Sequence, residues 1–174
     1  MSEDIFDIVD KNDCVIGSAP RSHIHKNGLL HRASHVLMFK NCGGEKMILL
    51  QKRSATKDKY PLAYTTSCSG HVDSGEDYDT AVLREMAEET GLVVQLSDLV
   101  KIGKVSPCDE TENEFTFVYE MQCSGEEKFN PPADEVESLD WVLLSDFEEM
   151  IKTTPQKFTP SFLYVYKFWK NSQL

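Results

Sequence analysis

The sequence predicts a mixed α+β fold in which helices pack on a largely central sheet. Strand-like segments dominate the middle of the chain, one long uninterrupted helical stretch is set among them, and further helices close the C-terminal end. Such an order of elements is what an α+β arrangement implies. The 174 residues lie within the size of one domain, since domains run to about 100–200 residues. No boundary or internal repeat divides the chain, so residues 1–174 are expected to form one domain.

Phe6 to Val9 and Cys14 to Ile16 read as two short strands around the turn Asp10-Lys11-Asn12-Asp13, a hairpin pattern. Pro20 to Asn27 is polar and reads as irregular. His35 to Phe39 and Lys46 to Gln51 are strand-like and joined by the turn Asn41-Cys42-Gly43-Gly44. A basic loop from Lys52 to Pro61 leads into a strand-like segment from Ala63 to Thr66. From Glu76 to Thr90 neither Pro nor Gly interrupts, and Gly91 stands where a helix C-cap glycine belongs. Leu92 to Val105 and Phe115 to Met121 read as strands separated by an acidic turn. Leu139 to Leu144 is another strand, Ser145 is placed to cap a helix over Asp146 to Ile151, and Pro160 to Trp169 is an apolar-rich helix.

Composition narrows the function. Eighteen basic residues against 29 acids give a net charge of −11, a field that repels nucleic-acid polymers. The same carboxylates suit divalent cations, which prefer oxygen ligands. A phosphate-bearing substrate should therefore arrive with metal or meet a local basic patch. No apolar run approaches the roughly 18 residues of a membrane span, and the acidic MSEDIFDIVD start lacks signal-peptide character. The five cysteines are scattered without a CxxC pair, so neither a zinc site nor a disulfide framework is expected. A cytoplasmic protein with reduced thiols is the simplest expectation.

The chemistry concentrates in GHVDSGEDYDTAVLREMAEETGL, residues 70–92. It runs Gly70, five residues, Glu76, seven residues, Arg84-Glu85-Met86, one residue, Glu88-Glu89, one residue, Gly91-Leu92. On a helix Glu85, Glu88 and Glu89 are related by i, i+3 and i+4 and share one face. Like charges at that spacing repel, and Glu88 and Glu89 sit at the negative end of the helix dipole. A solvated acidic face is the plain alternative. It fits poorly, because Ala81, Val82 and Met86 place these carboxylates along the buried stripe. A divalent ion would offset both costs.

The segment matches the Nudix box of the Nudix hydrolase superfamily at every specified position. The resemblance implies an α/β/α sandwich with a mixed central sheet and a loop–helix–loop box. It also implies a hydrolase of phosphoanhydride bonds. Carried over by position, Glu85, Glu88 and Glu89 would hold magnesium, with the Gly70 carbonyl as a further ligand and manganese as a substitute. Arg84 would orient Glu85, Glu76 would brace the loop, and Gly75 and Gly91 would make its turns. These residue types suit the reaction, which needs charge neutralisation on phosphoryl oxygens and an activated water. Glu85 or Glu89, or an acid outside the box, would serve as the base.

Outside the box, Arg53 and Lys52 follow the strand that borders the site in such proteins and are candidates for phosphate contact. The turn Asp109 to Glu114 offers further carboxylates, with a solvated hairpin tip as its alternative. Histidines cluster at His23, His25, His31 and His35, with His71 inside the box. The run DIVDKNDCVIGSAPRSHIHKNGLLHR resembles the start of the Nudix branch that includes type I isopentenyl-diphosphate isomerases. That likeness implies a second metal site at His31, His71, Glu112 and Glu114, with another histidine near His23 or His25. The isomerases, however, carry their catalytic cysteine directly before Gly-His, where this chain has Ser69. Cys68 lies one residue earlier, and neighbours in an extended segment face opposite ways. The expected function is therefore a metal-dependent pyrophosphohydrolase acting on a small diphosphate, nucleoside-linked or other. The alternatives are an isomerase and a catalytically silent binding module, and homodimers are common in the family.

Overall fold

The computed structural model describes residues 3–174; Met1 and Ser2, the first two residues of the acidic start, lie outside the described residues. The N-terminal hairpin forms as its turn chemistry dictates. Strand β1 (Ile5–Val9) pairs antiparallel with β2 (Val15–Pro20), and Asp10 Oδ1 accepts the amides of Asn12 and Cys14 at 2.8 and 2.9 Å. Asp13, in the left-handed region at φ 63°, ties this hairpin to the body. Its carboxylate accepts from Arg32 Nε at 2.6 Å, Tyr78 OH at 2.9 Å and Lys104 Nζ at 2.6 Å.

The segment expected to be irregular is a helix, α1 (Arg21–Asn27). Its brevity and its single buried residue, Ile24, leave no apolar periodicity to read. Gly28 closes it in the left-handed conformation at φ 59°.

Seven strands make the main sheet: β3 (His31–Cys42), β4 (Glu45–Arg53), β5 (Tyr64–Thr65), β6 (Cys68–His71), β7 (Leu99–Val105), β8 (Glu114–Gln122) and β9 (Val136–Leu143). The order is β5-β4-β3-β8-β7, with β6 also paired to β3 and β9 to β4. β3 and β8 run parallel while the other pairs are antiparallel, so the sheet is mixed as expected. Gly43 and Gly44, both at positive φ, make the two-residue turn between β3 and β4.

One face is covered by α2 (Tyr78–Glu85), around Val36, Met38, Cys68, Val82, Met86 and Tyr119. The other is covered by α3 (Leu144–Thr153) and α4 (Pro160–Ser172), around Leu37, Phe39, Phe147, Phe162 and Trp169. This is the helix–sheet–helix sandwich of the expected fold class.

Several boundaries differ from the sequence reading, β3 beginning at His31 rather than His35 and β6 forming where no strand was read. Leu92 to Gln95 does not pair. Leu92, Val94 and Leu96 instead pack on the α2-side core, and the chain passes through a 3₁₀ turn at Leu96–Asp98 before β7 begins. Ser145 does not cap α3, because the chain enters that helix directly from β9 with Leu143 at the N-cap and no side-chain bond. Among the described residues no helix is long and apolar enough to cross a membrane.

Candidate active site

The box begins as a loop pinned by the N-terminal hairpin. Ser74 Oγ donates to Asp7 at 2.6 Å and the Gly75 amide donates to the same carboxylate at 3.2 Å. Gly75 takes φ 87°, which a side chain rarely adopts. Asp77 caps α2 by accepting the Thr80 amide at 2.8 Å. After Glu85 the helix widens into a π turn, Met86–Thr90, and Gly91 ends it at φ 76°. Such widened turns recur at functional sites. Here the turn carries Glu88 and Glu89 past the frame that a regular helix would give them.

The three glutamates occupy three different environments. The Glu85 carboxylate lies against the backbone of Gly70, and a Cβ built on Gly70 would stand 1.9 Å from Glu85 Cδ. Only glycine permits that approach. Burial pushes the Glu85 carboxyl up to about 8, with Glu89 and Glu88 adding to the rise and Arg84 opposing it. Glu89 is turned inward, where its Oε2 accepts from Gln51 Nε2 and from the Ser69 amide, each at 3.0 Å. Glu88 is exposed and keeps an Arg84 contact of 3.0 Å.

Arg84 is the organiser. It donates to Glu85 at 2.7 Å, to Glu76 at 2.9 Å and to the carbonyl of His71 at 3.0 Å. Burial works against its charge, but the Glu76 and Glu85 carboxylates raise its pKa above the ordinary arginine range. One guanidinium does not neutralise the carboxylates gathered here, and the donor set is hard oxygen. A glycine-made cradle beside a carboxyl that burial drives toward its protonated form fits a divalent cation.

A second cluster stands beside the first. Strand alternation and register put His31, Ala33 and His35 of β3, Ser69 and His71 of β6, and Glu114 and Thr116 of β8 on one face. His31 Nδ1 donates to the Leu29 carbonyl at 2.9 Å. Its Nε2 lies 3.4 Å from Glu114 Oε1 and is buried without a hydrogen-bond partner among the described residues. A buried, unpartnered ring nitrogen beside a buried carboxylate is a position that a cation would fill. His71 Nε2 lies 3.0 Å from the same oxygen, and α1 brings in His25. The ligand nitrogens of His25, His31 and His71 all lie within 4.8 Å of one another.

Burial lowers His25 to about 4, and the neighbouring His71 and His31 act in the same direction. Burial alone would raise the Glu114 carboxyl, but His31 and His71 hold it well below its usual range. Phe6 stacks on His71 at a ring distance of 4.5 Å and walls the cluster on one side.

Both clusters open into one cleft of about 990 Å³, whose lining also carries Arg21, Arg53, Lys57 and Lys59. Arg53 is half-buried and donates through Nε and Nη2 to the Lys59 carbonyl at 3.2 and 3.1 Å, and burial lowers the pKa of both Arg53 and Lys57. Lys52 does not line this cleft. Strand alternation turns it to the opposite side from Arg53, toward a small hollow with Tyr64 and Lys157.

Of the second set expected from the sequence, His31, His71 and Glu114 meet. Glu112 sits farther out, 3.6 Å from His25 Nδ1 and paired with Lys59. His25 joins the cluster, whereas His23 is exposed. Sequence reasoning did not single out Gln51 or Arg21, which act only through tertiary neighbours.

The NUDIX domain family model matches residues 29–162. The chain belongs to the Nudix hydrolase family. Among curated relatives of this Nudix hydrolase, isopentenyl-diphosphate Delta-isomerase 2 of Photorhabdus laumondii is 35% identical over 159 residues, covering 90% of this chain and 87% of that one. A prenyl-diphosphate phosphatase of Methanosarcina mazei is 33% identical, covering 88% and 87%. The expected branch, related to the isomerases, is thus borne out. A solved structure, the NUDIX domain of Shewanella oneidensis NrtR complexed with ADP ribose, shares the fold. Its TM-score is 0.64 at 16% identity, with 82% of this chain and 87% of that one covered. Nudix hydrolases generally use divalent metals, and the box cluster has the donors to hold one.

Proposed function

We propose that this Nudix hydrolase is a magnesium-dependent pyrophosphohydrolase that cuts the anhydride bond of a small organic diphosphate, with residues 1–174 acting as one domain. The observation that carries the reading is the seating of Glu85 against the Gly70 backbone, with Glu88, Glu89, Arg53 and Lys57 lining the same cleft. A bound magnesium would supply charge neutralisation for the phosphoryl oxygens and lower the pKa of a nearby water.

The protein's own part is positional. Arg84 fixes Glu85, Gln51 and the Ser69 amide fix Glu89, and Arg53 with Lys57 takes the phosphate charge that the acidic surface would otherwise repel. Water oxygen bonds to phosphorus, the bridging P–O bond breaks, and the proton passes to a box carboxylate, Glu85 or Glu89. Two phosphorylated products leave. The site formed by His25, His31, His71 and Glu114 would hold a second cation, and Glu112 would act from its rim. Cytoplasmic residence belongs to the same reading, supported by five unpaired cysteines.

The histidine cluster also favours a second reading, an isopentenyl-diphosphate isomerase. Ser69 stands where the isomerases have cysteine, and Cys68 is fully buried on the α2 side with its thiol pKa pushed up by burial, so hydrolysis is preferred. A panel of diphosphates with saturating magnesium, read for phosphorylated products and for double-bond migration, separates the two. Ser69→Cys serves as the companion variant. Glu85→Gln and Glu88→Gln should each lose more than about a hundredfold in turnover, since even outer-shell changes at metal sites cost about 10–100-fold. Near-wild-type rates in both would defeat the proposal.

A further inference from the structure

The cleft floor between the two clusters holds a polar residue that neither uses. His35 of β3 is 5% exposed and lines the cleft. Its Nδ1 lies 3.0 Å from Thr66 Oγ1, and Thr66 Oγ1 in turn donates to the Cys68 carbonyl at 3.2 Å. A hydroxyl has one proton to give. With that proton committed to Cys68, Thr66 accepts from His35 Nδ1–H, and the ring's lone pair falls on Nε2. Nε2 makes no hydrogen bond among the described residues and opens to the cleft. Burial, the main cause, lowers His35 to about 4, which keeps the ring neutral and accepting at physiological pH.

The surroundings suit the same use. His35 faces Ser69 as its cross-strand partner, so both side chains rise from the same face, at roughly 5 Å between Cβ atoms. In the next row Ala33 lies between His71 and Thr116, and its methyl group leaves a hollow where a larger residue would fill the floor. The Thr116 hydroxyl is fully buried on that face without a partner among the described residues. Thr65, Thr159 and Ser161 add further hydroxyls to the cleft lining. Most residues lining the cleft are charged or polar, with Phe6, Tyr60 and Pro132 its larger apolar members.

We infer that His35, through Nε2 and with Ser69 beside it, is a specificity-determining hydrogen-bond acceptor for a hydroxyl on the organic half of the substrate. The cleft therefore takes diphosphates of hydroxylated groups, such as a ribose, in preference to diphosphates of bare hydrocarbon chains. A buried acceptor left without its donor costs affinity, and a site built to bind a hydroxyl rejects the analogue that lacks it. The inference rests on the hydrolase reading for the diphosphate half alone.

Two measurements test it without requiring turnover. Two-bond ¹⁵N–¹H correlation spectra of the full-length protein at neutral pH, with His35 assigned by its loss in His35→Leu, should show Nδ1 protonated and Nε2 bare. Calorimetry with magnesium should show α,β-methylene-ADP-ribose binding at least about tenfold tighter than the methylene analogue of geranyl diphosphate. His35→Leu should erase that ratio by weakening only the first ligand, and His35→Gln, which keeps an acceptor, should restore part of it. A proton on Nε2, a wild-type preference for the geranyl analogue, an unchanged ratio in His35→Leu, or equal losses on both ligands would overturn the inference. Because the analogues cannot be hydrolysed, a protein that cleaves no diphosphate would defeat the proposed function while leaving these affinities readable.

Discussion

The two clusters that share the cleft are built in opposite ways. The box cluster takes three carboxylates from one short run, Glu85 to Glu89, and adds a glycine that lets the chain come close. The histidine cluster takes its members from α1, β3, β6 and β8, so it exists only once the strand register does. The first is dominated by negative charge with one guanidinium to hold it. The second gathers three imidazoles around a single carboxylate. Local encoding therefore makes a charge-dense site, and tertiary encoding assembles a softer one beside it. The first is expected to fail by loss of close approach, the second by loss of register.

Close approach is the easiest to break. Gly70→Ala would place a methyl where Glu85 Cδ now stands at 1.9 Å, so the carboxylate must leave its seat. Turnover should fall by more than about a hundredfold, as for removal of the ligand itself, while stability should change by less than about 1 kcal/mol because only the end of a flexible side chain must swing away. Ser34, the cross-strand partner of Gly70, is the control. Its buried hydroxyl has no partner among the described residues, so Ser34→Ala should change stability by less than about 1 kcal/mol. Steady-state rates and urea midpoints of both variants decide the matter, and comparable rates would refute the close-packing account.

The clusters should also titrate in opposite senses in the metal-free protein. Glu85 has a folded pKa of about 8 against an ordinary 4.5. Its contribution to stability is fully present below 4.5 and is lost as pH rises through 8. His25 has a folded pKa of about 4 against an ordinary 6.5. Its contribution is fully present above 6.5 and is lost as pH falls through 4. Thermal midpoints in chelator across this range should show Glu85→Gln escaping the loss on the alkaline side and His25→Asn escaping the loss on the acid side. The differences should amount to several degrees, at about 2–4 °C per kcal/mol for a chain near this size. Curves parallel to wild type would show that burial does not set these groups as described.

What the sequence made legible follows the same division. The box could be read residue by residue because its spacing is local, and Gly91 marked the helix end correctly. The π turn over Met86–Thr90 could not be read, since nothing in the composition distinguishes it from regular helix. Eight of the nine strands were visible as alternating or apolar runs, but β6 was not, nor was the pairing of β6 and β8 with β3. That pairing is what brings Glu114 to His31 and His71. The third histidine remained open for a geometric reason. Read as irregular or extended, His23 and His25 could share a face, whereas on α1 residues two apart point away from each other. Ile24 takes the core, His25 the cleft and His23 the solvent. Lys52 and Arg53 were indistinguishable as neighbouring basic residues until the strand carrying them was seen to reach Arg53.

That last pair gives the finest test of how far position, rather than charge, governs the cleft. Arg53 is held by the Lys59 carbonyl and lines the cleft, while Lys52 lies on the far side of the strand. If contact with a phosphate is what matters, Arg53→Ala should raise KM about tenfold or more, in keeping with the loss of a charged hydrogen bond of about 1.5–3 kcal/mol. Arg53→Lys should recover only part of this, because a lysine lacks the fork that spans two acceptors. Lys52→Ala should stay within about twofold, as a surface substitution does. Equal effects from the two alanine variants, disappearing together at high salt, would mean that the basic stretch works through its summed field. A field of that kind is screened over about 10 Å at 0.1 M salt, whereas a direct contact persists, so the salt series decides between them even where the KM changes are small.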